Sequence, residues 1–334
     1  MDALRPETQW FRIDSDSAAG AVRRAAVRLA GRLGHSETRI AEIGIVASEA
    51  TSNVWRHAGA GQVALQTVLL GEQVGIRLVA IDNGPGMADV RISTLDGSST
   101  RGTLGVGIGA ISRLSTSLEV SSHPGQGTVL VAELWPEQPP ALTYELAGLT
   151  RPMDGEEECG DIIGARETDG RLVVMLADGL GHGPLAAVAS QGALIAFHES
   201  LSVDPVTLIG RMHAAIGHTR GAAIAVATIE PSGGVEFAGV GNVSTFIDDG
   251  ERRHAGISQP GIVGHVQPRL RRQSLELPIG GLLVMHSDGL KESWNLQAVP
   301  GLRRRSAATI AATLLRDAGT RPDDASVLVA RRLR

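Results

Sequence analysis

A proline-rich stretch in the middle of the chain separates two halves with different residue patterns. It reads PEQPPALTYELAGLTRP. Prolines remove backbone donors and favour turns, so a stretch of this kind is typical of a domain boundary. The length of 334 residues also favours two domains, since a domain usually has about 150 residues. The sequence therefore predicts a first domain over residues 10–136, a linker over 137–152 and a second domain over 153–334.

The composition excludes several classes of function. The net charge is -5 and charged residues make up 20% of the chain, so no strongly basic surface for nucleic acid is expected. No segment contains the roughly 18 uncharged apolar residues that a membrane span needs, and the N-terminus lacks the apolar core of a signal peptide. The single cysteine, Cys159, cannot form an internal disulfide. We therefore expect a cytoplasmic protein with no nucleic-acid partner and no membrane span.

The first half has the pattern of helices packed on one antiparallel or mixed sheet. Amphipathic spacing predicts a helix over residues 15–33 and a second helix over 36–58. Two alternating runs, residues 62–70 and 74–82, predict a β-hairpin. After a glycine-rich loop, helical spacing returns over residues 105–115, and a second hairpin closes the domain.

The second half is rich in strands. Apolar runs such as RLVVMLAD, AAIAVATIE, GVEFAGV and GGLLVMHSD have the length and composition of buried strands. Helices are predicted over residues 184–200, 205–216 and 306–318, and a last strand is predicted at the C-terminus. Many strands with a few long helices predict an α+β domain of two packed sheets with helices outside.

Polar residues and glycines in the first half fall where predicted elements end. Glu49 and Asn53 are four residues apart on the second helix, so both side chains emerge on one face. Asp82 ends a predicted strand and is followed by Gly84 and Gly86. An amide oxygen can bind Mg²⁺, and a carboxylate can accept a proton from an attacking hydroxyl. Each residue alone is more often a solvated or turn residue, so the interpretation depends on the set.

A further glycine-rich loop, GTLGVGIG, precedes the third predicted helix. Glycines there let backbone N–H groups approach phosphate oxygens, and the helix N-terminus adds a favourable dipole. The glycines of this loop are Gly102, Gly105, Gly107 and Gly109.

In this order the motifs EATSN, DNGPGM and GTLGVGIG resemble the N, G1 and G2 boxes of the GHKL ATPase superfamily. The segment GQGTVLVAELW resembles its closing strand, and residues 10–136 are most similar to anti-sigma-factor serine kinases of the RsbT type. The resemblance implies a Bergerat α/β sandwich that binds ATP with Mg²⁺ and phosphorylates a serine or threonine of a partner. It implies Glu49 as general base, Asn53 on Mg²⁺ and Asp82 at the adenine amino group. The other ATP-binding residues it implies are Gly84, Gly86, Gly105, Gly107, Gly109 and Thr128.

Acidic residues mark strand edges throughout the second half. In VVMLADGLGHG an apolar run ends at Asp178, and HSDGL repeats that pattern with Asp288. Asp161 precedes another strand, and Asp323 and Asp324 precede the last one. Clustered carboxylates repel one another unless cations lie between them, and oxygen ligands favour Mg²⁺ or Mn²⁺. Asp-Gly is also a common turn pair, and the glycines of the first motif could instead hold a phosphate, so the residues alone leave three readings open.

Together CGDIIGA, ADGLGHG, HSDGL and DDAS resemble the metal motifs of PP2C-type (PPM) serine/threonine phosphatases in their SpoIIE-like branch, most nearly the RsbX type. The resemblance implies a double β-sheet sandwich flanked by helices, with two Mn²⁺ or Mg²⁺ ions and Asp178 as catalytic residue. His182 is left with two readings, an acid catalyst or a turn residue. The metal ligands implied are Asp161, Asp178, the Gly179 carbonyl, Asp288 and Asp323.

The two resemblances together imply a two-domain α+β protein that acts as a stressosome-type partner-switching regulator. Expected partners are STAS-domain antagonist or stressosome scaffold proteins and a downstream sigma-factor regulator. The alternative is a nucleotide-controlled binding module that captures a sigma factor or an antagonist without phosphotransfer, fused to a phosphatase. Glu49 favours the kinase, since a pure binding module needs no base at that position. The oligomeric state does not follow from the sequence.

Overall fold

The chain forms two compact units. The computed structural model describes residues 8–70, 73–88, 107–139, 142–265, 269–320 and 322–334. The first unit contains residues 6–141 and 296–316, and the second contains residues 142–295 and 317–334. Residues 296–316 therefore belong structurally to the first unit, although they follow most of the second in sequence. No helix among the described residues is long and apolar enough to cross a membrane.

The first unit contains one antiparallel sheet of five strands. Its strands are β1 Thr8–Ile13, β2 Gly61–Leu70, β3 Gln73–Asp82, β4 Ser117–Ser122 and β5 Thr128–Leu134. Their order across the sheet is β1-β2-β3-β5-β4. Strands β2 and β3 pair along their full length, from Leu70 opposite Gln73 to Gly61 opposite Asp82, which confirms the first predicted hairpin. The edge strand β1 is an addition that the sequence patterns did not predict.

Among the residues that the structure describes, this sheet is accompanied by the helices α1 Ala18–Arg32, α2 Glu37–Ala58 and α3 Gly107–Leu114. The Ser36 hydroxyl accepts a hydrogen bond from the Arg39 amide at the start of α2, and Gly59 ends that helix in the left-handed conformation with φ 74°. The predicted start of α1 at residue 15 is three residues early. Both long helices bury an apolar stripe against the sheet, and each large side chain so buried contributes about 1.5–3 kcal/mol.

The second unit is a sandwich of two five-stranded antiparallel sheets. Its strands are β6 Tyr144–Arg151, β7 Asp161–Thr168, β8 Arg171–Gly179, β9 Ala222–Ile229, β10 Gly234–Val240, β11 Ser244–Asp248, β12 Arg253–Gly256, β13 Gln273–Glu276, β14 Leu282–His286 and β15 Ala325–Arg332. One sheet has the order β13-β10-β9-β8-β7 and the other β12-β11-β14-β15-β6. Val174 and Leu176 of the first sheet share a buried core with Met285 and Leu328 of the second. The predicted double sandwich is therefore present.

Strand β6 lies in the segment that the prolines predict to be a linker. It pairs with the last strand, from Arg151 opposite Ala325 to Tyr144 opposite Arg332. No proline lies inside β6, so every residue of the strand keeps its backbone N–H. The second half of the predicted linker, residues 137–152, is thus part of the sandwich.

The helices of the second half follow the prediction closely. They are α4 Pro184–Glu199, α5 Pro205–Ala215 and α6 Ala307–Ala318. Proline occupies the first position of α4 and α5, where its missing N–H has no intrahelical partner in any case. Apolar residues of α4 and α5 pack with those of β8 and β9 in a second core, outside the sandwich. This packing supports β8, which carries Asp178 near its end.

Candidate active sites

Helix α2 and the start of α3 bring three of the predicted ATP-site residues together. A Cβ on residue 107 would lie 3.0 Å from Asn53 Oδ1 and 3.2 Å from Glu49 Oε2, so only glycine fits there without moving those side chains. The Asn53 Nδ2 atom is buried and has no hydrogen-bond partner among the described residues. Gly109 follows on the same helix and is buried. The predicted phosphate-loop residue Gly105 lies outside the described residues.

Asp82 ends β3 and is 9% exposed. Its Oδ1 atom accepts hydrogen bonds from the Gly84 amide at 2.8 Å and from the Thr128 amide at 3.2 Å. Burial raises the pKa of Asp82, and the two backbone hydrogen bonds, with Arg316 and His57, partly offset this effect. The carboxylate is therefore held in one orientation by backbone atoms, and its Oδ2 atom is not part of those two bonds.

Close backbone approach explains two glycines beside Asp82. Gly86 has φ 68°, and a Cβ there would lie 1.9 Å from the His123 carbonyl oxygen. A Cβ on Gly127, with φ 70°, would lie 2.1 Å from the Asp82 carbonyl oxygen. The Ser122 hydroxyl completes this corner, because it accepts from the Met87 amide and donates to the Gly127 carbonyl. Gly127 and Ser122 were not predicted as site residues, and the GQGT motif was the available signal for Gly127.

In the second unit, Asp161 and Asp178 lie directly opposite each other on the neighbouring strands β7 and β8. Side chains paired in this way point to the same face with Cβ atoms about 4.5–5.5 Å apart, and like charges in such pairs are destabilising. Asp161 is 4% exposed, and neither of its carboxylate oxygens has a hydrogen-bond partner among the described residues. The hydroxyls of Ser287 and Ser326 lie close enough to favour its charge without a hydrogen bond of normal geometry.

The electrostatics join Asp288 and Asp323 to this pair. Burial, followed by the charges of Asp161, Asp288 and Asp323, raises the pKa of Asp178. Burial also raises the pKa of Asp161, and burial and Asp323 raise that of Asp288. Four carboxylates from distant parts of the sequence thus repel one another in one place, as the strand-edge pattern predicts. Among the residues described, no three acidic, histidine or cysteine side chains form a ready-made cage for a single ion.

Close packing requires the glycines that follow Asp178 and Asp288. A Cβ on Gly179 would lie 2.2 Å from the Ala186 carbonyl oxygen, and a Cβ on Gly289 would lie 1.9 Å from the Asp324 carbonyl oxygen. Neither glycine has a left-handed φ. Asp178 and Gly179 lie within β8, which excludes the simple turn reading there. Asp288 and Gly289 do form a turn, closed by a hydrogen bond from the Leu290 amide to the Ser287 carbonyl at 3.2 Å, and the close packing of Gly289 fixes that turn against the Asp324 backbone.

Asp324 has a different environment from Asp323. Its carboxylate accepts hydrogen bonds from the Met153 amide at 2.7 Å and the Gly160 amide at 2.8 Å. These bonds hold the chain just before β7 against the start of β15. In the hydrogen bonds that the structure describes, the Asp323 carboxylate accepts only from the amide of the next residue, at 2.9 Å. Asp324 is thus a structural residue, and Asp323 has the freer carboxylate.

His182 and Cys159 flank the cluster. His182 Nδ1 lies 2.9 Å from Glu156 Oε1, and the histidine side chain is 51% exposed. This pairing orients the imidazole but is compatible with both of its predicted readings. Burial and the nearby carboxylates raise the pKa of the Cys159 thiol, so this residue stays protonated and is not a ligand for a hard cation.

The donor sets fit the cofactors that the sequence predicts. Mutually repelling carboxylates are the environment that Mg²⁺ or Mn²⁺ stabilises, and Asp161 is the buried member that lacks a hydrogen-bond donor among the described residues. In the first unit, Asn53 and Glu49 border the glycine at the start of α3, where a phosphate group and its Mg²⁺ would meet a helix N-terminus.

Two family models match the chain. One, described as a histidine kinase-like ATPase domain, matches residues 13–133, and the other, described as stage II sporulation protein E (SpoIIE), matches residues 168–333. The first range contains all the ATP-site residues named above, and the second begins after Asp161. Domains of the first family use ATP with Mg²⁺, and PP2C-type domains use Mn²⁺ or Mg²⁺.

A curated relative decides the assignment of the first unit. The serine/threonine-protein kinase RsbT of Bacillus subtilis (strain 168) is 34% identical over 135 residues, which are 40% of this chain and 96% of RsbT. The chain belongs to the RsbT serine/threonine-protein kinase family. The expected resemblance of its first domain is confirmed, and RsbT-like domain is used below for that part of the chain.

Solved structures support the assignment of the remainder. A chain from a structure of the bacterial stressosome is 30% identical, has a TM-score of 0.54, and covers 57% of this chain and 100% of its own length. RsbX in complex with magnesium is 19% identical with a TM-score of 0.50, covering 64% of this chain and 98% of RsbX, which supports the fold alone. The predicted fusion is therefore confirmed: this partner-switching regulator joins an RsbT-like kinase domain to a SpoIIE/PP2C-type phosphatase domain.

Proposed function

We propose that residues 10–136 phosphorylate a serine or threonine of a STAS-type partner protein in the cytoplasm. Residues 153–334 would remove such a phosphate, and residues 137–152 lie between these two functional regions in the sequence. The observation that carries this proposal is the direct opposition of Asp161 and Asp178 on β7 and β8. A buried carboxylate and a half-buried one side by side are stabilised in their charged forms by cations, and a pair of hard cations is the usual apparatus for phosphoester hydrolysis.

In the phosphatase region, Asp161, Asp178, the Gly179 carbonyl, Asp288 and Asp323 would hold two Mn²⁺ or Mg²⁺ ions. When bound, the ions supply positive charge that acidifies a water molecule and neutralises phosphoryl oxygens. The protein fixes these ligands at the ends of strands, where the sheets keep them rigid. Asp178 has the central place in the electrostatic cluster, and we assign it the catalytic role.

In the kinase region, Glu49 would accept the proton of the attacking hydroxyl while Asn53 holds Mg²⁺. Asp82 is suited to read the adenine amino group, because backbone amides fix its Oδ1 and leave the Oδ2 atom to accept. Thr128 adjoins Asp82 through its backbone. The glycines that we propose at the nucleotide are Gly84, Gly86, Gly105, Gly107 and Gly109.

The arrangement of Glu49 and Asn53 favours phosphotransfer over simple nucleotide-controlled binding. Glu49 and Asn53 lie together beside Gly107, so a base and a Mg²⁺ ligand share one location. The Glu49→Ala variant should still bind Mg²⁺–ATP while losing transfer of phosphate to a STAS protein. Transfer at the wild-type rate would remove Glu49 from the mechanism. ATP binding without transfer by the wild-type protein would favour the binding-module alternative, with a sigma-factor regulator as the captured partner.

The phosphatase assignment is tested with Asp178→Asn and Asp288→Asn. Hydrolysis of p-nitrophenyl phosphate and of a phosphorylated STAS protein should depend on Mn²⁺, stop with EDTA, and fall at least about a hundredfold in both variants, because each loses a ligand charge. Asp169→Asn is the matched control, since Asp169 is an exposed turn residue with φ 52°, a conformation that asparagine also adopts. Wild-type activity in Asp178→Asn would contradict the site.

A further inference from the structure

A cavity of about 500 Å³ opens beside Asp288 within the second unit. Its walls come from β11, β12 and the segment that follows Asp288. Asn242 also belongs to the wall, and its side-chain amide donates a hydrogen bond to the Asp288 carboxylate. The volume is that of a pocket for a small molecule or for part of a peptide. Because Asp288 belongs both to the wall of the cavity and to the carboxylate cluster, the cavity is continuous with that cluster.

The wall of this cavity has an acidic character. Glu292 contributes a carboxylate, and the Ser244 hydroxyl donates to its Oε1 atom at 2.6 Å. That bond holds the Glu292 side chain in one orientation against β11. Asp288 is the other acidic wall residue, and His286 is neutral because its Nε2 atom accepts a hydrogen bond from Trp294. Among the described residues, no lysine or arginine lines the cavity. A ligand group that enters it therefore meets a fixed negative charge without a competing cation in the wall.

Arg253, on the strand β12 that contributes to the wall, has a structural role. The Arg253 guanidinium lies over the rings of Phe246 at 4.5 Å and Trp294 at 4.3 Å, and it donates to the Trp294 carbonyl at 3.0 Å. Its other donor reaches the backbone carbonyl of Glu292. Trp294 in turn donates to the buried His286. These contacts fix the segment that carries Glu292, whose carboxylate accepts from Ser244.

We propose that the cavity is a subsite for a lysine or arginine of the protein substrate close to its phosphorylated residue, with Glu292 as the acceptor. This inference rests on the proposed phosphatase function. A phosphopeptide whose phosphate lies at the carboxylate cluster extends about 3.3 Å per residue, so near neighbours of the phosphoserine reach the adjoining cavity. A fixed carboxylate at that place favours a cationic neighbour and disfavours an acidic one.

The test compares phosphoserine peptides that differ at a single position near the phosphoserine. Each set has arginine, alanine or glutamate at one position, scanned over both sides, and the full chain is assayed with Mn²⁺. At one position or more, arginine should raise kcat/KM about five- to twentyfold over alanine, and glutamate should lower it. The ratio of kcat/KM between two peptides is measured with one protein, so a change in the overall activity of that protein cancels.

Substitutions at Glu292 separate the subsite from the chemistry. Glu292→Gln should reduce the arginine-to-alanine ratio to near one, and Glu292→Lys should reverse the preference in favour of glutamate. The matched controls Glu276→Gln and Glu276→Lys change an exposed acid on β13, in the other sheet, and should keep the wild-type ratio.

The outcomes distinguish the two levels of the proposal. Hydrolysis of p-nitrophenyl phosphate together with equal cleavage of arginine, alanine and glutamate peptides by the wild-type protein would overturn the subsite and leave the phosphatase function standing. An arginine preference that survives in Glu292→Lys would also overturn it. Absence of any Mn²⁺-dependent hydrolysis, of p-nitrophenyl phosphate as well as of peptides, would overturn both.

Discussion

A single row of side chains on the sheet of the RsbT-like domain joins Gln66, Arg77 and Glu133 across three strands. Arg77 donates through Nε and Nη2 to Glu133 Oε1 at 2.9 and 2.8 Å, and through Nη1 to Gln66 Oε1 at 3.2 Å. Trp135 donates to the other oxygen of Glu133. Burial alone would raise the pKa of Glu133, but the Arg77 charge and the two sets of hydrogen bonds outweigh it and hold the pKa below its usual range.

Removal of the cation from this row should destabilise the domain in a pH-dependent manner. Arg77→Met leaves the Glu133 carboxylate partly buried and unpaired, so the free energy of unfolding should fall by about 2–4 kcal/mol at pH 7. A lowered pKa stabilises the folded state above the usual carboxyl range and loses that effect as the pH falls through the folded-state pKa. The difference between the two proteins, measured by urea unfolding, should therefore shrink towards pH 4. If the difference in the free energy of unfolding did not change with pH, lost packing and not the lost ion pair would explain it.

Two glycines allow a direct comparison of function and stability. Gly107→Ala should displace Asn53 and Glu49, since the new methyl would lie 3.0 and 3.2 Å from their oxygens, and should weaken Mg²⁺–ATP binding by at least about tenfold. Gly31 lies at an exposed position of α1 with open space around it. Gly31→Ala should therefore stabilise the chain by about 0.5–1 kcal/mol. Titration calorimetry and thermal unfolding measure the two effects. Unchanged ATP affinity in Gly107→Ala would count against the proposed nucleotide site.

At the scale of elements, the start of α6 depends on a strand that is distant in sequence. Glu119 of β4 accepts hydrogen bonds from the Ser306 amide, the Ser306 hydroxyl and the Thr309 hydroxyl. One carboxylate thus satisfies donors at a helix N-terminus, where negative charge is also favoured by the helix dipole. This contact ties residues 296–316 into the same unit as β4.

Loss of that carboxylate should weaken the first unit. Glu119→Gln keeps an acceptor but loses the charge, and we expect a cost of about 1 kcal/mol, while Glu119→Ala should cost about 2 kcal/mol because three donors lose their partner. Glu157→Ala, at an exposed acid, is the control and should be neutral. Limited proteolysis, followed by mass spectrometry, should show earlier cleavage within residues 296–316 in Glu119→Ala. Unchanged stability and cleavage would mean that apolar burial alone holds the segment.

At the scale of the whole molecule, one chain carries a kinase domain and a phosphatase domain whose proposed activities oppose each other. Such a chain cycles phosphate on and off its partner unless one activity is favoured. The steady-state phosphorylation of the partner therefore reports the balance of the two sites, and each site can be disabled independently through Glu49 or Asp178.

Disabling the phosphatase site should increase the label on the partner. With [γ-³²P]ATP, Mg²⁺, Mn²⁺ and a STAS protein, Asp178→Asn should raise steady-state labelling severalfold over the wild type, and Glu49→Ala should abolish it. The double variant should resemble Glu49→Ala, because a phosphate that is never transferred cannot be removed. Equal labelling by the wild type and Asp178→Asn would mean that the phosphatase region acts on a different phosphoprotein.

Much of this architecture followed from local patterns. The hairpin β2–β3, helix α2 with its Ser36 cap and Gly59 end, and helices α4 and α5 with their leading prolines all have signals within a few residues. Strands β1, β6 and β12 escaped prediction. Edge strands are often short, which weakens their sequence pattern. The proline and polar residues around β6 are typical of a linker, so only the pairing of β6 with the distant strand β15 reveals it.

The sequence by itself determined the two-domain composition and the identity of the acidic and glycine motifs, because caps, turns and alternation act over a few residues. Only the tertiary structure decided that Asp161 faces Asp178, that Asp324 ties down two amides while Asp323 stays freer, and that Gly179 serves a close backbone contact. It also decided that residues 296–316 belong to the first unit. These outcomes depend on strand register and packing between segments far apart in the chain, and no local pattern encodes them.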